Sequence, residues 1–572
     1  MKLKRILCAV LALVLTLSAL TLISCDNGGG DDKAPAPVYT LSNIRETASA
    51  YTIIRSDNAT SLVINSVKLL RSTIEQAIGV KLDISEDWVE DPTTLDPAVR
   101  EILVGDTNRP ETDTAMAELT EQKPYAVTQV GNKICIVGVD EYAIRRAVQL
   151  FLSMYFDYEI ANYNYHNVVD FGAEGDGIRD ETASFQAAIA AAEADGLPIY
   201  VPAGTYIITD TLTLDGVTMY GYSSGAWTAD KTDLPTILHK NPESPLFHVA
   251  GGSLSGFAIK VESVISDKDK TDVTPAETIR ISKAGARVSN LTISNPYVGI
   301  STYYEPGATL NPGRCFIENI FMINVHDTGL YVHGTYDVAT LCNIEVWNPS
   351  TAGEGKLTCP VAYKFGKNDD LRAVNLFAFN AKVGFLFEES HVGFDENGGK
   401  VYGGCWGSFT NCSTDLCETG MKVGKGQHAL TLIGGTYWNH FYGLDVTSQT
   451  SPLTRVTMSG CELKTNGAST VNIAGGQMVT VTGCNISRTQ SDHKAIPVSI
   501  KGGSGVTLSG NTICANGTAG IDIASNFKGA ATITGNTLIT SATSTTGVIV
   551  NAASGNNVVI ESNAILTNYE FD

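Results

Sequence analysis

Short β-branched runs recur along the chain beyond Gly172, and Gly, Asn and Ser separate them. One phrase reads VTMSGCEL, VTVTGCNI, VTLSGNTI, ATITGNTL and VVIESNAI, and its sixth position holds Cys461, Cys484, Asn511, Asn536 and Asn563. A second phrase, as in TGLYVHG, puts Tyr331 and His333 on one side of a strand and Leu330 and Val332 on the other. Repeats of two or three short strands predict a parallel β-helix of roughly a dozen coils. The recurring Cys and Asn positions should then form ladders along it.

The region 39–165 has a different pattern, in which helical and strand periods alternate. An apolar stripe at three- and four-residue steps predicts an amphipathic helix over 61–78. The stripe consists of Val63, Val67, Leu70, Ile74 and Ile78. EILVGD predicts a strand, YAVTQVGNKICIVGV predicts a hairpin that turns at Gly131 and Asn132, and residues 141–156 predict a second helix. This small α+β domain resembles the accessory domain that precedes the catalytic domain in several glycoside hydrolase families.

The amino terminus has a pattern typical of export. MKLKRILCAVLALVLTLSALTLISC has basic residues, an apolar run and a small residue before Cys25. Its end, LISC, resembles the lipobox of bacterial lipoproteins, which implies a signal peptide at 1–24 and lipidation of Cys25. An uncleaved membrane span is the alternative, but the run is short for the roughly 20 apolar residues that a span needs. Residues 25–38, rich in Gly and Pro, are predicted to be a tether.

Charge and cysteine content narrow the classes of function. The chain has 39 basic and 60 acidic residues, and removal of the signal takes away three positive charges and leaves a formal net charge of −24. A nucleic acid partner is therefore not expected. Ten cysteines remain when Cys8 and Cys25 are set aside, and an exported protein could pair them. Neither a CxxC pair nor a His-rich tract indicates zinc.

The segment NVVDFGAEGDGIRDETASFQAAIAAAEADGLPIYVPAGTYIITDTLTL closely resembles the opening motif of the pectate lyase superfamily, which includes rhamnogalacturonase- and epimerase-like domains. The matching residues are Asp170, Phe171, Gly172, Gly175, Asp176, Gly177, Asp180, Thr182, Gln186, Ala188, Ile189, Val201, Pro202, Gly204 and Tyr206. The resemblance implies that 166–572 is an all-β, right-handed parallel β-helix with an N-terminal capping helix, preceded by the small α+β domain at 39–165. It leaves the reaction open, because the superfamily includes hydrolases, lyases, epimerases and phage tailspikes.

Five carboxylates in DFGAEGDGIRDE raise the question of a metal loop. They fall at 170, 174, 176, 180 and 181, unlike the alternate-residue ligands of an EF-hand. Asp180 stands where a helix N-cap is wanted, and Glu181 would add negative charge to the first turn. An apolar stripe follows, made of Phe185, Ala188, Ile189 and Ala192. The segment is therefore predicted to cap the solenoid, and no metal site is predicted.

Polygalacturonase-like members of the superfamily carry their working carboxylates on one exposed sheet, in N-T-D, D-D, G-H-G and R-I-K motifs. The nearest match here is HDTGLYVHG, with Asp327 in the turn before a strand and His333 on the outward face of that strand. The match is incomplete, because the pair Asp369 and Asp370 is in another phase and no full G-H-G exists. Asp327 becomes a catalytic candidate through this resemblance.

Reading the coils in register gives a second set of candidates. The outward positions, in order, are Ser301 and Tyr303, Tyr331 and His333, Lys364, Leu386 and Glu388, Lys422, Asp445 and Thr447, and Asn472. Glu388 and Asp445 are two coils apart and two residues out of step, so their backbones should lie roughly 12 Å apart. Side chains that lean together would bring the carboxyls within the roughly 6.5 to 9.5 Å of an inverting glycosidase. Lys422 would lie on the coil between them.

These positions make hydrolysis by paired carboxyls the first functional hypothesis. Glu388, Asp445 and Asp327 are the catalytic candidates, since one carboxyl would protonate the leaving oxygen and another would activate water. The predicted substrate-binding residues are His333, Tyr331, Lys364, Lys422, Trp438 and His440. The cations would bind acidic groups on the sugar, and the aromatic rings would stack on its apolar face. The alternative for any one of these side chains is a solvated face with cross-strand pairs.

The expected partners are a uronate-containing or pectin-like polysaccharide and a bacterial membrane, to which the lipid anchor would attach the protein. The expected location of the protein is the cell surface or the periplasmic face of the membrane. A hydrolase needs no cofactor. A lyase on the same scaffold would need a base, for which Lys422 is placed, and often calcium held by carboxylates. A non-catalytic glycan-binding or adhesive surface protein is the further alternative, favoured by the missing motifs. A phage tailspike shares the opening motif, but the signal and lipobox argue against it.

Overall fold

The computed structural model describes residues 38–90, 95–120, 123–158, 164–223, 234–262, 275–304, 311–349, 359–448, 454–467, 469–488, 496–516, 519–545, 547–553, 555 and 557–570. The chain divides into two compact units, 1–160 and 161–572. The predicted signal peptide, Cys25 and the predicted tether up to residue 37 lie outside the described residues. Within the described part, no helix is long and apolar enough to cross a membrane.

The first unit is a five-stranded sheet with helices packed on it. Its helices are α1 (Ile44–Thr47), α2 (Ser61–Ile78), α3 (Pro110–Met116) and α4 (Glu141–Tyr155), and its strands are β1 (Thr52–Arg55), β2 (Ile84–Glu86), β3 (Glu101–Val104), β4 (Tyr125–Val130) and β5 (Lys133–Gly138). The strand order is β2-β1-β3-β5-β4, parallel except for the β4–β5 hairpin. Leu70 of α2 and Phe151 of α4 are fully buried in one core with Ile102 of β3. The predicted α+β class, with its two amphipathic helices and its hairpin, is confirmed.

Among its described residues, the second unit contains one α-helix, α5 (Thr182–Asp195), and 38 strands. The strands before residue 380 are β6 (His166–Asn167), β7 (Asp176–Asp180), β8 (Ile199–Tyr200), β9 (Gly204–Ile208), β10 (Leu212–Asp215), β11 (Thr218–Tyr220), β12 (Pro235–His239), β13 (Phe247–Ala250), β14 (Ser253–Val261), β15 (Glu277–Lys283), β16 (Arg287–Ser294), β17 (Val298–Thr302), β18 (Phe316–Ile323), β19 (Thr328–Val332), β20 (Thr340–Trp347), β21 (Cys359–Phe365) and β22 (Asn368–Phe379). The strands after it are β23 (Ala381–Phe387), β24 (Ser390–Phe394), β25 (Lys400–Gly403), β26 (Cys405–Thr410), β27 (Ser413–Val423), β28 (Ala429–Ile433), β29 (Thr436–Val446), β30 (Arg455–Ser459), β31 (Glu462–Thr465), β32 (Val471–Ile473), β33 (Met478–Thr482), β34 (Asn485–Arg488), β35 (Val498–Ile500), β36 (Gly505–Ser509), β37 (Thr512–Ala515), β38 (Ile521–Ile523), β39 (Ala530–Thr534), β40 (Thr537–Thr540), β41 (Ile549–Asn551), β42 (Val558–Glu561) and β43 (Ala564–Leu566).

The strands of the second unit wind into a parallel β-helix. Each strand pairs in parallel with the equivalent strand one coil further on, as in the series β14-β16-β18-β20-β22 and β30-β33-β36-β39-β42. The inward residues of all coils form one continuous apolar core, because alternate side chains of each strand point inward. Among the described strands of this unit, β24 and β25 leave the pattern, since they form an antiparallel hairpin. The fold class predicted from the repeats is confirmed.

The predicted Cys and Asn ladder runs inside the last coils. The backbone N–H and the Nδ2 of Asn511 both donate to Oδ1 of Asn536, at 3.0 and 2.9 Å. Asn536 makes the same two bonds to Asn563, both at 3.0 Å. Cys484 donates its backbone N–H to Asn511 at 3.0 Å. All ten cysteines beyond Cys25 are unpaired thiols, so the structure does not use the pairing that export would allow.

The segment DFGAEGDGIRDE closes the start of the β-helix, as predicted, but its acids act differently. The N-cap of α5 is Glu181, so the expectation of Asp180 at that position is wrong by one residue. Asp180 lies just before the cap, and its Oδ1 still accepts the backbone N–H of Thr182 at 3.0 Å. Glu181 is only 2% exposed, and its Oε1 accepts the N–H groups of Glu174 and Gly175 at 2.6 and 2.9 Å. The buried carboxylate therefore closes the loop before the helix.

Candidate functional site

One column of outward side chains runs along the β-helix in unbroken register. Its members, paired coil by coil, are Ser301, Tyr331, Lys364, Leu386, Lys422, Asp445 and Asn472. This is the order predicted from the sequence. Adjacent coils place these residues about 4.8 Å apart. We call this column, together with His333 and Glu388 at its edge, the ladder face.

Four of the predicted site residues meet at one end of the ladder face. The rings of Tyr331 and His333 stack with their centroids 4.2 Å apart and their planes 9° from parallel. Nζ of Lys364 lies 5.0 Å from the centroid of the Tyr331 ring and 3.8 Å from Oε2 of Glu388. The cluster therefore combines a stacked aromatic pair, a cation and a carboxylate.

Burial sets the protonation of the two stacked rings. It raises the pKa of Tyr331 to about 12, and the nearby charge of Glu388 acts in the same direction. Burial also lowers the pKa of His333 to about 4, helped by the positive charge of Lys364. Nδ1 of His333 is buried and has no hydrogen-bond partner among the described residues. At neutral pH the pair thus presents a protonated phenol and an uncharged imidazole.

The second carboxylate of the ladder face is held by its neighbours. Asp445 pairs in register with Lys422 on one coil and with Asn472 on the next, and Nδ2 of Asn472 donates to Oδ1 of Asp445 at 2.7 Å. Glu388 lies beside Gly424 of the next coil, since a Cβ on Gly424 would sit 3.5 Å from Cγ of Glu388. Gly424 is itself one coil before Asp445 and two residues further along the strand, so Glu388 and Asp445 are two coils apart. The predicted offset of the two carboxyl-bearing backbones, roughly 12 Å, follows from this register.

Asp327 does not join the cluster. It lies in the turn before β19, as predicted, and its Oδ2 accepts the hydroxyl of Thr328 at 2.9 Å. Six residues of extended chain separate it from His333, which amounts to roughly 20 Å. Its backbone carbonyl accepts the N–H of Val361 on the next coil at 3.1 Å. Asp327 thus lies at the opposite end of the strand from Glu388.

Trp438 and His440 lie away from the ladder face because β29 bends. Its first residues, up to Asn439, pair with β31, whereas its last three pair with β32 and carry Asp445. Trp438 therefore stands between Asp415 and Lys464 on the neighbouring coils. Nζ of Lys464 lies 5.2 Å from the Trp438 ring centroid. A groove of about 260 Å³ here is lined by Asp415, Leu416, Trp438, Asn439, His440, Lys464 and Asn466.

Comparison with known proteins defines the fold family. Residues 165–356 match the family model described as rhamnogalacturonase A/epimerase, pectate lyase-like, and residues 400–565 match the right-handed β-helix region. The second unit is a right-handed β-helix, and its first half is similar to the pectate lyase-like family. The predicted handedness and family resemblance are confirmed, and the family matched by residues 165–356 is carbohydrate-active.

Individual relatives match the chain over limited spans or at low identity. Mannuronan C5-epimerase AlgE1 of Azotobacter vinelandii is 56% identical over 45 residues, which is 8% of this chain and 3% of that protein. The A-module of mannuronan C-5 epimerase AlgE6 of the same organism is 16% identical, with a TM-score of 0.41, over 70% of this chain and 99% of that one. The catalytic unit of a GH87 α-1,3-glucanase from Streptomyces thermodiastaticus is also 16% identical, with a TM-score of 0.37, over 71% and 70%.

Sequence reasoning missed one groove of this right-handed β-helix. It has a volume of about 540 Å³ and is lined by Lys367, Trp406, His428, Ala429 and Arg455. The sequence signal was the long insertion 388–409 with its Trp406, but insertion length does not place a side chain. Across the described residues, no group of three or more His, Cys, Asp or Glu side chains is arranged to hold a metal ion.

Proposed function

We propose that the protein hydrolyses an acidic, uronate-containing polysaccharide at the ladder face, with Glu388 and Asp445 as its paired carboxyls. The observation that carries the proposal is the register Lys364–Leu386–Lys422–Asp445. It aligns two lysines and a carboxylate on one strip of sheet, and Glu388 lies beside the first lysine. The carbohydrate-active family of residues 165–356 supports a sugar substrate.

Asp445 is the better placed of the two carboxyls to act as the base. The amide of Asn472 donates to its Oδ1 at 2.7 Å and holds the carboxylate in place beside Lys422. A water held by Asp445 would lose its proton to the carboxylate as its oxygen attacks the anomeric carbon. Glu388 would then protonate the leaving glycosidic oxygen. Its contact with Lys364 is long, 3.8 Å between Nζ and Oε2, and half of the Glu388 side chain is exposed, so the carboxyl is accessible to a substrate.

The lysines and the tyrosine of the ladder face favour an acidic sugar polymer as the substrate. Lys364 and Lys422 lie two coils apart, roughly 10 Å, with the apolar Leu386 between them. This spacing suits carboxylates carried by sugar units along a chain. Tyr331 remains protonated at neutral pH and can donate a hydrogen bond to a sugar oxygen.

Proton abstraction from a uronate carbon is the second candidate, as in a lyase or a C5-epimerase. The position of Lys422, beside Asp445 in the middle of the ladder face, favours it, because an amine there can act as a base. The short, 45-residue likeness to mannuronan C5-epimerases is consistent with it. Calcium, if this chemistry needs it, would appear as activity lost to chelators.

One assay separates these activities. The protein is incubated with pectic, alginate and neutral polysaccharides while reducing ends and the absorbance of unsaturated uronates are followed, with deuterium exchange at C5 measured in heavy water. Reducing ends alone indicate hydrolysis, both signals indicate a lyase, and exchange without chain cleavage indicates an epimerase. The absence of all three on every acidic polymer would contradict the proposal and favour a glycan-binding protein.

We also propose that the protein is exported and lipid-anchored through Cys25. The sequence LISC supports this, and the test is labelling of producing cells with a palmitate analogue. Label should be incorporated into the wild type and be lost in Cys25→Ala. Equal labelling of both chains would contradict a lipid anchor at this residue.

A further inference from the structure

The groove at the start of strands β26, β28 and β30 has the form of a slot between two large side chains. Trp406, Ala429 and Arg455 occupy one register column on three successive coils. The small Ala429 in the middle leaves a gap, and the backbones of Trp406 and Arg455 are roughly 10 Å apart across it. We call this groove the Trp406 slot. Its volume of about 540 Å³ is within the range of small-ligand sites.

The wall formed by Trp406 is held in place before any ligand arrives. The indole Nε1 donates to Oδ1 of Asp369 at 3.1 Å, and the ammonium group of Lys367 pairs with the same carboxylate oxygen. The stem of Lys367 packs on Gly403 at the base of the β24–β25 hairpin, since a Cβ there would lie 2.7 Å from Cδ of Lys367. An aromatic ring fixed through its edge keeps its faces for stacking.

The opposite side of the slot is also built on a fixed backbone. Gln427 is fully buried, accepts the N–H of Cys405 at 2.8 Å and donates to the carbonyl of Lys425 at 2.7 Å. It thereby fixes the turn that presents His428. The backbone N–H of Arg455 donates to the carbonyl of His428 at 3.1 Å.

The Trp406 slot carries positive charge on an acidic protein. The whole chain has a formal net charge of −21, yet Lys367 and Arg455 line the slot, and among the described residues Asp369 is the one carboxylate that forms an ion pair with either of them. The Nε of Arg455 donates to Oε1 of Gln477 at 3.4 Å. In the part of the chain that the structure describes, no carboxylate pairs with its guanidinium. Arginine is the side chain best suited to bind a carboxylate through two parallel hydrogen bonds.

The slot is distinct from the ladder face. The polypeptide leaves the ladder face at Glu388, forms the β24–β25 hairpin and then enters β26, where Trp406 lies. Trp406 therefore lies on the next sheet around the coil, beyond the hairpin. Ligand bound in the slot would not need to touch Asp445 or Lys422.

We propose that the Trp406 slot binds one carboxylated sugar unit of an acidic glycan, independently of the ladder face. The indole stacks on the apolar face of the pyranose, and Arg455 binds its carboxylate, with Lys367 adding positive charge. The acidic class of the ligand is the same as in the proposed function, but binding here requires no catalysis. Such a site would hold the polymer on the protein while the ladder face acts on it.

The test measures binding of hexagalacturonate and hexamannuronate by calorimetry, with maltohexaose as the neutral probe. All proteins carry Lys364→Met and Lys422→Met, which disable the ladder face, so remaining binding reports the slot. We expect at least one acidic hexamer to bind in this background and maltohexaose not to bind. Trp406→Ala and Arg455→Gln should each raise the dissociation constant about tenfold or more, whereas Trp406→Phe should retain most of the affinity.

A matched control is available on the same sheet, since Arg287 lies with its guanidinium carbon 4.6 Å from the Phe316 ring centroid, outside the slot. Arg287→Gln and Phe316→Ala should leave the affinity unchanged. The proposal would be overturned if neither acidic hexamer bound, or if maltohexaose bound equally well. It would also be overturned if Trp406→Ala left the affinity of the slot unchanged. A catalytically inactive protein whose slot still binds would overturn only the proposed function, so the two failures are distinguishable.

Discussion

Lys422 and Asp445 are register partners on adjacent coils, and the far side of Asp445 is hydrogen-bonded to Asn472 at 2.7 Å. Each carboxylate of the ladder face therefore has a lysine neighbour, Lys364 for Glu388 and Lys422 for Asp445. A strip with this alternation can bind a polyanion through the cations and still leave the carboxylates for acid–base chemistry.

The amide variants Glu388→Gln and Asp445→Asn test the paired carboxyls. Each keeps the size of the side chain but cannot transfer a proton, so we expect the turnover number to fall about a hundredfold or more on an acidic polysaccharide. Initial rates from reducing ends give the measurement. Glu389→Gln is the matched control, because Glu389 is the next residue but pairs with Lys425 at 2.8 Å, away from the ladder face. Full activity of both amide variants would refute the assignment.

The lysines should act mainly on substrate affinity. Lys364→Met and Lys422→Met keep the aliphatic stem and remove the charge, so we expect KM for an acidic polymer to rise about tenfold in each. The difference in KM between variant and wild type should shrink at high salt, because salt screens the attraction between the lysine of the wild type and the acidic polymer. Lys382→Met, on the exposed side of β23, provides the control. A large loss of turnover with unchanged KM for Lys422→Met would instead point to Lys422 as the base of a lyase.

The sequence predicts the ladder face well, because a β-helix repeats one register in every coil. Once TGLYVHG and its later copies are aligned, Tyr331, Lys364, Lys422 and Asp445 fall in one column, and the structure pairs them in that order. The same periodicity predicts the ladder of Asn536 and its neighbours. Positions set by the repeat are therefore readable from sequence.

Positions set by bends, caps and insertions cannot be predicted from the repeat in this way. Trp438 is only seven residues from Asp445, but a bend in β29 places it on the neighbouring sheet. Glu181 was expected to carry charge at the helix terminus, yet the loop folds so that its carboxylate is buried under two backbone N–H groups. The Trp406 slot depends on an alanine gap between two coils, which becomes visible only when the register across the insertion is known.

The Asn ladder should contribute measurably to stability. Asn536→Ala would leave the N–H of Asn511 and the carbonyl of Leu508 without their partner in the core, and each unsatisfied group costs about 1 to 3 kcal/mol. We expect the free energy of unfolding to fall by about 2 kcal/mol or more and the amide of Asn511 to exchange faster with deuterium. Thr537→Ala, at the neighbouring exposed position, should change the free energy of unfolding by less than about 0.5 kcal/mol. Equal effects of the two substitutions would contradict the role of the ladder.

Glu181 makes the capping segment sensitive to pH. Burial raises the pKa of its carboxyl, the negative charges of Asp176 and Glu174 act in the same direction, and the N–H bonds from Gly175 and Glu174 offset this only in part. A carboxyl whose pKa is higher in the folded state than in the unfolded chain stabilises the fold fully below its unfolded pKa, about 4.3, and loses that contribution as the pH rises through the folded value. The ionised Glu181 is therefore a cost at neutral pH.

Glu181→Gln removes this ionisation and retains an oxygen that can accept the N–H groups of Glu174 and Gly175. We expect the difference in denaturation midpoint, variant minus wild type, to become more positive between pH 4 and pH 8, since each unit of raised pKa is worth about 1.4 kcal/mol. Glu193→Gln, exposed on the same helix, should give a difference that does not change with pH. A Glu181→Gln difference that is flat or falls over this range would show that the buried carboxyl does not bind its proton more tightly in the folded protein.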